Sequence, residues 1–370
     1  MTPDPTDERP LPAAPPEAAG ATADPAGPGP LGRRFLRPET LVSFVAALAI
    51  LVFFFRRFQI DPAAVWAQIR QANPLWLAMA YVAWYGGFWL RAARWREMLA
   101  SADVDAAHGY RVPPLNGLVE ILTLGWFANC VVPAKLGDAY RGFLLRQEGG
   151  VPFSKGIGTI IAERLADLVI LFAMMAAVGM AIFRGRIPTE ATQTFTLGAV
   201  LIALAAIALA VMWAARDTLH RLVPERFRDQ YANLHDAVFR SMRRPLWVIV
   251  PGVLLWLVEG LRFWFVATAL HSGMPFAVAL FVALMGSLLT TLPLTPAGLG
   301  VLEAGTGAVL IHVFGMSSSL AVSIILLDRV VAYWSLIVIG LVLYVLRFRR
   351  IAAEPAAAPA PAATRLGQAD

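Results

Sequence analysis

Residues 129–138 read Asn-Cys-Val-Val-Pro-Ala-Lys-Leu-Gly-Asp, and residues 292–300 read Leu-Pro-Leu-Thr-Pro-Ala-Gly-Leu-Gly, each in the middle of an otherwise apolar segment. Proline removes a backbone donor and its ring clashes with the preceding turn, while glycine opens conformations closed to other residues. A helix breaks at such a stretch. A break at membrane depth is costly unless protein or water satisfies the freed backbone groups. Residues 115–146 and 275–314 are therefore predicted as two broken re-entrant helical hairpins, each entering and leaving by one face. Two ordinary spans joined by an exposed loop are the plainer alternative at each place.

The rest of the chain supplies the bilayer context. The 370 residues are 58% hydrophobic and 15% charged, with mean hydropathy +0.63, too few charges to cover a soluble domain of this size. Apolar runs at Leu41–Phe55, Leu75–Leu90, Gly156–Phe183, Leu197–Ala215, Leu246–Leu270 and Leu320–Leu346 approach or exceed the ~20 residues that cross a bilayer. The expectation is an all-α polytopic integral membrane protein of about six full transmembrane helices plus the two hairpins. Its transmembrane domain would occupy residues 38–350, between disordered Pro/Ala-rich tails at 1–37 and 351–370. The apolar run behind Arg33, Arg34 and Arg37 starts too late for a signal peptide and is read as a retained first span.

Arginine placement sets the expected orientation. The connector 216–245 holds Arg216, Arg221, Arg226, Arg228, Arg240, Arg243 and Arg244 and is read as a cytoplasmic amphipathic surface helix. Arg91, Arg94 and Arg96 after the second span, and Arg347, Arg349 and Arg350 after the last, would face the same side. Both termini are then cytoplasmic, in a bacterial inner membrane. The net charge of +6 is attributed to membrane orientation and anionic headgroups, not to nucleic acid.

The two interruptions match each other. Pro133-Ala-Lys-Leu-Gly137 aligns without gaps on Pro296-Ala-Gly-Leu-Gly300, and Glu163-Arg164 downstream of the first answers Asp328-Arg329 downstream of the second. The unit is a span, a broken hairpin and a span, occurring twice. With one hairpin opening inward and the other outward, this is an inverted repeat, the arrangement that places transporter sites near the midplane between broken helices.

Ionisable groups inside apolar helices cost roughly 2.5–3.5 kcal/mol each at the bilayer centre on insertion scales, so they are candidates for function. They are Glu163, Arg164 and Asp167 in one cluster, Glu259 and Arg262 in another, Lys135, Asp138 and Arg141 at the first break, and Glu303, Asp328 and Arg329 beyond the second. Arg164 with Asp167, and Glu259 with Arg262, stand at i,i+3. Guanidinium grips phosphate bidentately, so Arg141, Arg164, Arg262 and Arg329 are read as headgroup ligands. Half-helix N-termini after Gly137 and Gly300 would add backbone donors. A purely structural alternative pairs Glu163 or Asp167 with Arg329, and Asp328 with Arg164, locking the repeats together. Lys135 has no basic counterpart, since Gly298 aligns with it, and would mark the entry side. The tryptophans are read as interfacial or packing residues and Cys130 as a small packing residue. Five scattered histidines and one cysteine offer no metal site, and no cofactor is expected.

Asn129, Pro133, Gly137, Asp138 and Arg141, followed by Glu163, Arg164 and Asp167, form N-x-x-x-P-x-x-x-G-[DE]-x-x-R and E-R-x-x-D. This pattern resembles the lysylphosphatidylglycerol synthase transmembrane region, also called the flippase-like domain, as found in UPF0104-type membrane proteins. The second half agrees, with Pro296, Gly298, Gly300 and Glu303 in L-P-x-x-P-x-G-L-G-x-x-E and then Asp328-Arg329. The resemblance implies movement of an anionic or aminoacylated lipid between leaflets. No soluble aminoacyltransferase domain follows residue 350, so lipid lysylation is not expected of this chain. Nor are GxxxxGK[ST], GxSxG or HExxH present, and the chain is read as transporter-like, not as an enzyme. The expected partners are membrane lipids, an anionic phospholipid or an isoprenoid-type lipid. Two other roles stay open. One is a non-catalytic partner presenting a hopanoid or polyprenyl lipid to a separate enzyme; the other is an intramembrane lipid headgroup transferase.

Overall fold

A computed structural model describes residues 61–131, 136–184, 189–215, 223–291 and 298–353, all helix and connecting turns. The predicted tail 1–37, the run Leu41–Phe55, residues 354–370, and Pro133, Lys135 and Pro296 lie outside the described residues, while 351–353 of the second predicted tail are helical.

Two helices open on side-chain caps. Asp61 accepts the Ala63 N–H ahead of α1 (Pro62–Arg70), and Asn73 accepts the Leu75 N–H ahead of α2 (Pro74–Ser101), both at 2.9 Å. Each has proline in its first turn, where the missing donor is not needed. The chain continues through α3 (Leu115–Val131), α4 (Leu136–Gly149), α5 (Phe153–Phe183), α6 (Thr189–Ala214) and α7 (Arg228–Arg240). Then follow α8 (Pro245–Ala269), α9 (Phe276–Leu289), α10 (Val301–Ala308), α11 (Ser318–Arg329) and α12 (Ser335–Ala353). π-helical turns at Val309–Val313 and Val330–Trp334 extend α10 and join α11 to α12.

The ends of these helices fix the topology. The Asn73 N–H donates to the Ala269 carbonyl at 2.9 Å, so α2 starts where α8 ends and the two run antiparallel. α3 and α4 fold back on each other, and the Arg111 N–H, just ahead of α3, donates to the Gly149 carbonyl at 3.1 Å where α4 stops. Arg347 near the end of α12 reaches Glu148 at 2.6 Å and Glu120 at 3.4 Å, and so joins that same end. At the opposite end, Gln68 of α1 bonds Ser319 (3.3 Å) and Ser323 (2.9 Å) at the start of α11. The α9–α10 hairpin begins there too, next to the end of α8, where the Trp264 indole donates to the Met274 carbonyl at 3.0 Å. The two hairpins open at opposite ends of the bundle. At 17 and 14 residues, α3 and α9 fall short of the ~20 that cross a bilayer.

Four stretches among the described residues are long and apolar enough to cross a membrane: Phe153–Phe183, Phe195–Ala214, Pro245–Ala269 and Ser318–Arg350. The expected run Leu75–Leu90 is only the first part of the 28-residue α2, which continues through Arg91 and Arg94 to Ser101. Those two arginines are buried, so they do not flank a span as the orientation reading assumed. In the connector, α7 packs against α5, burying Val238 and Ala237, with Ala237 facing Gly158.

Candidate functional site

Each half of the molecule brings its own arginines and carboxylates together. In the first, α3 and α4 lie backbone to backbone. A Cβ on Gly137 would meet the Gly125 carbonyl at 1.9 Å, and one on Gly125 would meet the Arg141 side chain at 2.4 Å. Only glycine allows that approach, and it buries Arg141 completely. Arg141 donates to Glu163 of α5 at 2.8 Å and lies 4.4 Å from the Trp95 ring. Its Nη1 is 3.8 Å from Asp138, without a hydrogen bond. Arg94 of α2 grips Asp167 through both terminal nitrogens, at 2.5 and 3.0 Å, and stands 3.4 Å from Glu163. Arg164 makes the matching bidentate pair with Asp138 of α4, at 3.0 and 2.8 Å.

The second half repeats this plan. Arg329 of α11 donates to Glu303 of α10 at 2.6 Å, and both pairs, Asp138–Arg164 and Glu303–Arg329, span 26 residues of chain. Arg262 of α8 pairs with Asp328, as Arg94 pairs with the acids of α5. Arg262 also meets Glu259 at 3.2 Å, and Glu259 takes Arg91 of α2 at 2.5 Å. That last bond crosses between the repeats, as does the Tyr333 hydroxyl donating to the Cys130 carbonyl at 3.1 Å. π-helical turns are frequent at functional sites, and Tyr333 sits in the one directly after Arg329.

The formal charges balance: Arg91, Arg94, Arg141, Arg164, Arg262 and Arg329 against Asp138, Glu163, Asp167, Glu259, Glu303 and Asp328. Mutual pairing offsets a desolvation cost that none of these ions could bear alone. Coverage differs between the halves. Side-chain exposure is 36% at Arg164, 20% at Asp138 and 18% at Asp167, against 11% or less at Glu259, Arg262, Glu303, Asp328 and Arg329. Three arginines of the cluster hold buried nitrogens without a hydrogen-bond partner here: Nε of Arg94, Nε and Nη1 of Arg141, and Nη2 of Arg329.

Several expectations need correcting. The cross-repeat pairs of Glu163 or Asp167 with Arg329, and of Asp328 with Arg164, are not the ones formed; each of these residues binds within its own repeat. Asp167 bonds Arg94 instead of its i,i+3 neighbour Arg164, whereas Glu259 and Arg262 do meet. One backbone donor at each break is already used. Asn129 Oδ1 accepts the Gly137 N–H at 2.8 Å, and Glu303 accepts the Gly300 N–H at 2.6 Å. Gly298 and Gly300 take positive φ, +69° and +85°, as a turn into α10 requires.

Arg91, Arg94, Trp84, Trp95 and Trp126 belong to the cluster although the sequence reading left them out. Arg91 lies 4.8 Å from the Trp126 ring and Arg262 5.2 Å from Trp84, so these rings, packed between helices, also cap cations. The available signal was the apolar pattern after Arg94, where Trp95, Met98 and Leu99 carry the helix onward.

A bundle of apolar helices enclosing paired charges defines a multi-pass membrane protein, and comparison with known proteins places it further. The chain belongs to the lysylphosphatidylglycerol synthase TM region family, whose model matches residues 40–340. It is 30% identical over 233 residues to a UPF0104 membrane protein of Methanocaldococcus jannaschii, covering 62% of this chain and 97% of that one. A UPF0104 membrane protein of Methanothermobacter thermautotrophicus is 22% identical over 330 residues, 81% of this chain and 92% of its own. Glycosyltransferase AglD of Haloferax volcanii is 24% identical over 338 residues, 81% of this chain but 52% of AglD. The expectation that the chain is not an enzyme is overturned by this relative, because a protein sharing most of the domain is named as one. No solved structure matches the chain.

Proposed function

We propose that the chain binds the phosphate of an anionic lipid headgroup among these paired arginines and passes the lipid between leaflets. The carrying observation is the graded exposure of a charge-balanced cluster. At its partly exposed edge, Arg164 can trade the Asp138 carboxylate for a lipid phosphate, since both accept the same bidentate fork. Further in, Arg141 keeps two unused donors for the same group. In this reading the α3–α4 and α9–α10 hairpins are re-entrant elements of an inverted repeat, acyl tails stay in lipid, and the two sets of pairs open in turn. The membrane would be a bacterial inner membrane with both termini cytoplasmic.

The test is flipping of fluorescent phosphatidylglycerol in proteoliposomes, read by dithionite quenching. Arg164→Gln and Arg329→Lys should each slow flipping at least tenfold while the protein keeps its elution profile and melting temperature. Wild-type rates in both variants, or a wild-type protein no faster than empty vesicles, would refute the proposal.

A second reading rests on the likeness to AglD: transfer of a glycosyl group to a lipid, with a carboxylate of the cluster as base. Labelled lipid formed from a sugar nucleotide by the purified chain, and lost in Asp138→Asn, would favour it.

A further inference from the structure

Apart from the ion-pair cluster, the described residues enclose a cavity of about 370 Å³ lined by Trp213, His235, Asp236, Phe239, Arg240 and Arg243. It lies where α6, an apolar span, ends at Ala214 and where α8, another, begins at Pro245, with α7 across the gap. That is the level of a membrane surface. Trp213 is largely exposed in the last turn of α6, as expected of an aromatic side chain at the headgroup level.

His235 is buried, and neither of its ring nitrogens has a hydrogen-bond partner here, although the Asp236 carboxylate stands 3.5 Å from Nδ1. A buried polar group without a partner is rare and calls for an explanation. Its neighbours Tyr231 and Phe239 flank the ring at 6.0 and 4.8 Å between centroids, which holds it in place. Arg240 is anchored on Asp103 and lies 3.9 Å from Asp236. Arg243 is 55% exposed and only 3.7 Å from Asp103, too long for a hydrogen bond, so most of its donors point to solvent. Lys155 adds a third positive charge, donating to the Asp103 carbonyl at 3.1 Å. The surroundings thus hold three cations against Asp103 and Asp236.

We infer that this cavity is a second binding site, for a phosphate-bearing anion, with Arg243 and Arg240 on the phosphate and His235 donating beneath it. Its place at the ends of two spans favours the headgroup of an anionic phospholipid as the source. The Trp213 and Phe239 rings would then cover the glycerol. None of these residues belongs to the cluster proposed for translocation, and the inference does not depend on that proposal.

Binding is measured by calorimetry on the full chain in a neutral detergent, titrating dihexanoyl phosphatidylglycerol, dihexanoyl phosphatidylcholine and inorganic phosphate. Phosphatidylglycerol should bind saturably and at least tenfold more tightly than phosphatidylcholine. Arg243→Gln should weaken it tenfold or more; being half exposed, this variant keeps the fold, which an unchanged melting temperature verifies. His235→Phe, which keeps an aromatic ring but removes both ring nitrogens, should do the same, in the wild-type and in the Arg164→Gln background alike. Inorganic phosphate binding as tightly as phosphatidylglycerol, with the same response to Arg243→Gln, would support the site with free phosphate as its ligand. Equal affinity for the two lipids, or wild-type binding in Arg243→Gln and His235→Phe, would overturn the inference.

Discussion

The two halves of the molecule use one electrostatic plan with different access. In both, an arginine of the long helix after the hairpin reaches back 26 residues to a hairpin carboxylate, and an arginine of the preceding helix holds the acid beside it. The first hairpin adds a cation of its own, Arg141, whereas Ala304 stands at the equivalent step after Gly300. The second hairpin instead spends its carboxylate twice, Glu303 capping Gly300 while pairing with Arg329. The first set is also the one partly open at its edge, the second covered throughout. The two halves share the charge pairing, while the cover over it differs.

The strongest way to break the comparison is to remove one carboxylate from each half. Glu163→Ala leaves Arg141 with only the distant Asp138, and Glu303→Ala strips both Arg329 and the start of α10. Taking one partner from a buried pair costs about 3–5 kcal/mol because a bare charge is left behind. Both variants should lose that much unfolding free energy, measured by steric trapping in bicelles. A cost below about 1 kcal/mol for either would mean that its half is hydrated and that the two sets are not equivalent.

The hairpins themselves supply a second contrast. Gly137→Ala must push the α3 and α4 backbones apart, because the new methyl would sit 1.9 Å from a carbonyl oxygen that cannot rotate away. A Cβ at Gly286, on α9, would meet Leu302 and Thr306 at 3.5 Å, an ordinary contact. Overpacking costs typically 1–3 kcal/mol, more where backbone is the obstacle. Gly286→Ala should be neutral or stabilise slightly, since alanine is favoured over glycine within a helix by ~1 kcal/mol. Equal melting temperatures for the two variants in detergent would remove the close packing that buries Arg141.

What could be read in advance follows from these same residues. The helix ends at Val131 and Leu289 were legible because proline and glycine act on their own backbone, and the likeness of the two halves because their landmarks sit at similar spacing. That Glu163, Arg164, Asp328 and Arg329 would need charge partners followed from their place in apolar helices. Their partners did not follow. Whether Asp167 meets Arg164 or Arg94 depends on how α2 crosses α5, and local spacing carries no information on that. In sequence, Arg91 and Arg94 read as the end of a span, because charge after some sixteen apolar residues usually marks one. Packing of α2 along α8 and against α5 explains why this helix stays buried beyond them. The tryptophans were opaque for the same reason, since a ring covering guanidinium and a ring at a bilayer surface look alike in sequence.

The finest test separates the matching outer pairs, Asp138–Arg164 and Glu303–Arg329, by double-mutant cycles built on Asn or Gln and on Gln substitutions. With Arg164 36% exposed, water screens the first pair, and its coupling should stay below about 1 kcal/mol and shrink as salt is raised. The second pair is nearly dry, so its coupling should be larger and insensitive to salt. Adding phosphatidylglycerol should weaken the first coupling further, because the lipid phosphate competes with Asp138 for the same guanidinium fork. Equal couplings with equal salt dependence would show that both sets see the same solvent. The graded access from which lipid exchange at Arg164 is argued would then have no basis, whatever the flipping rates.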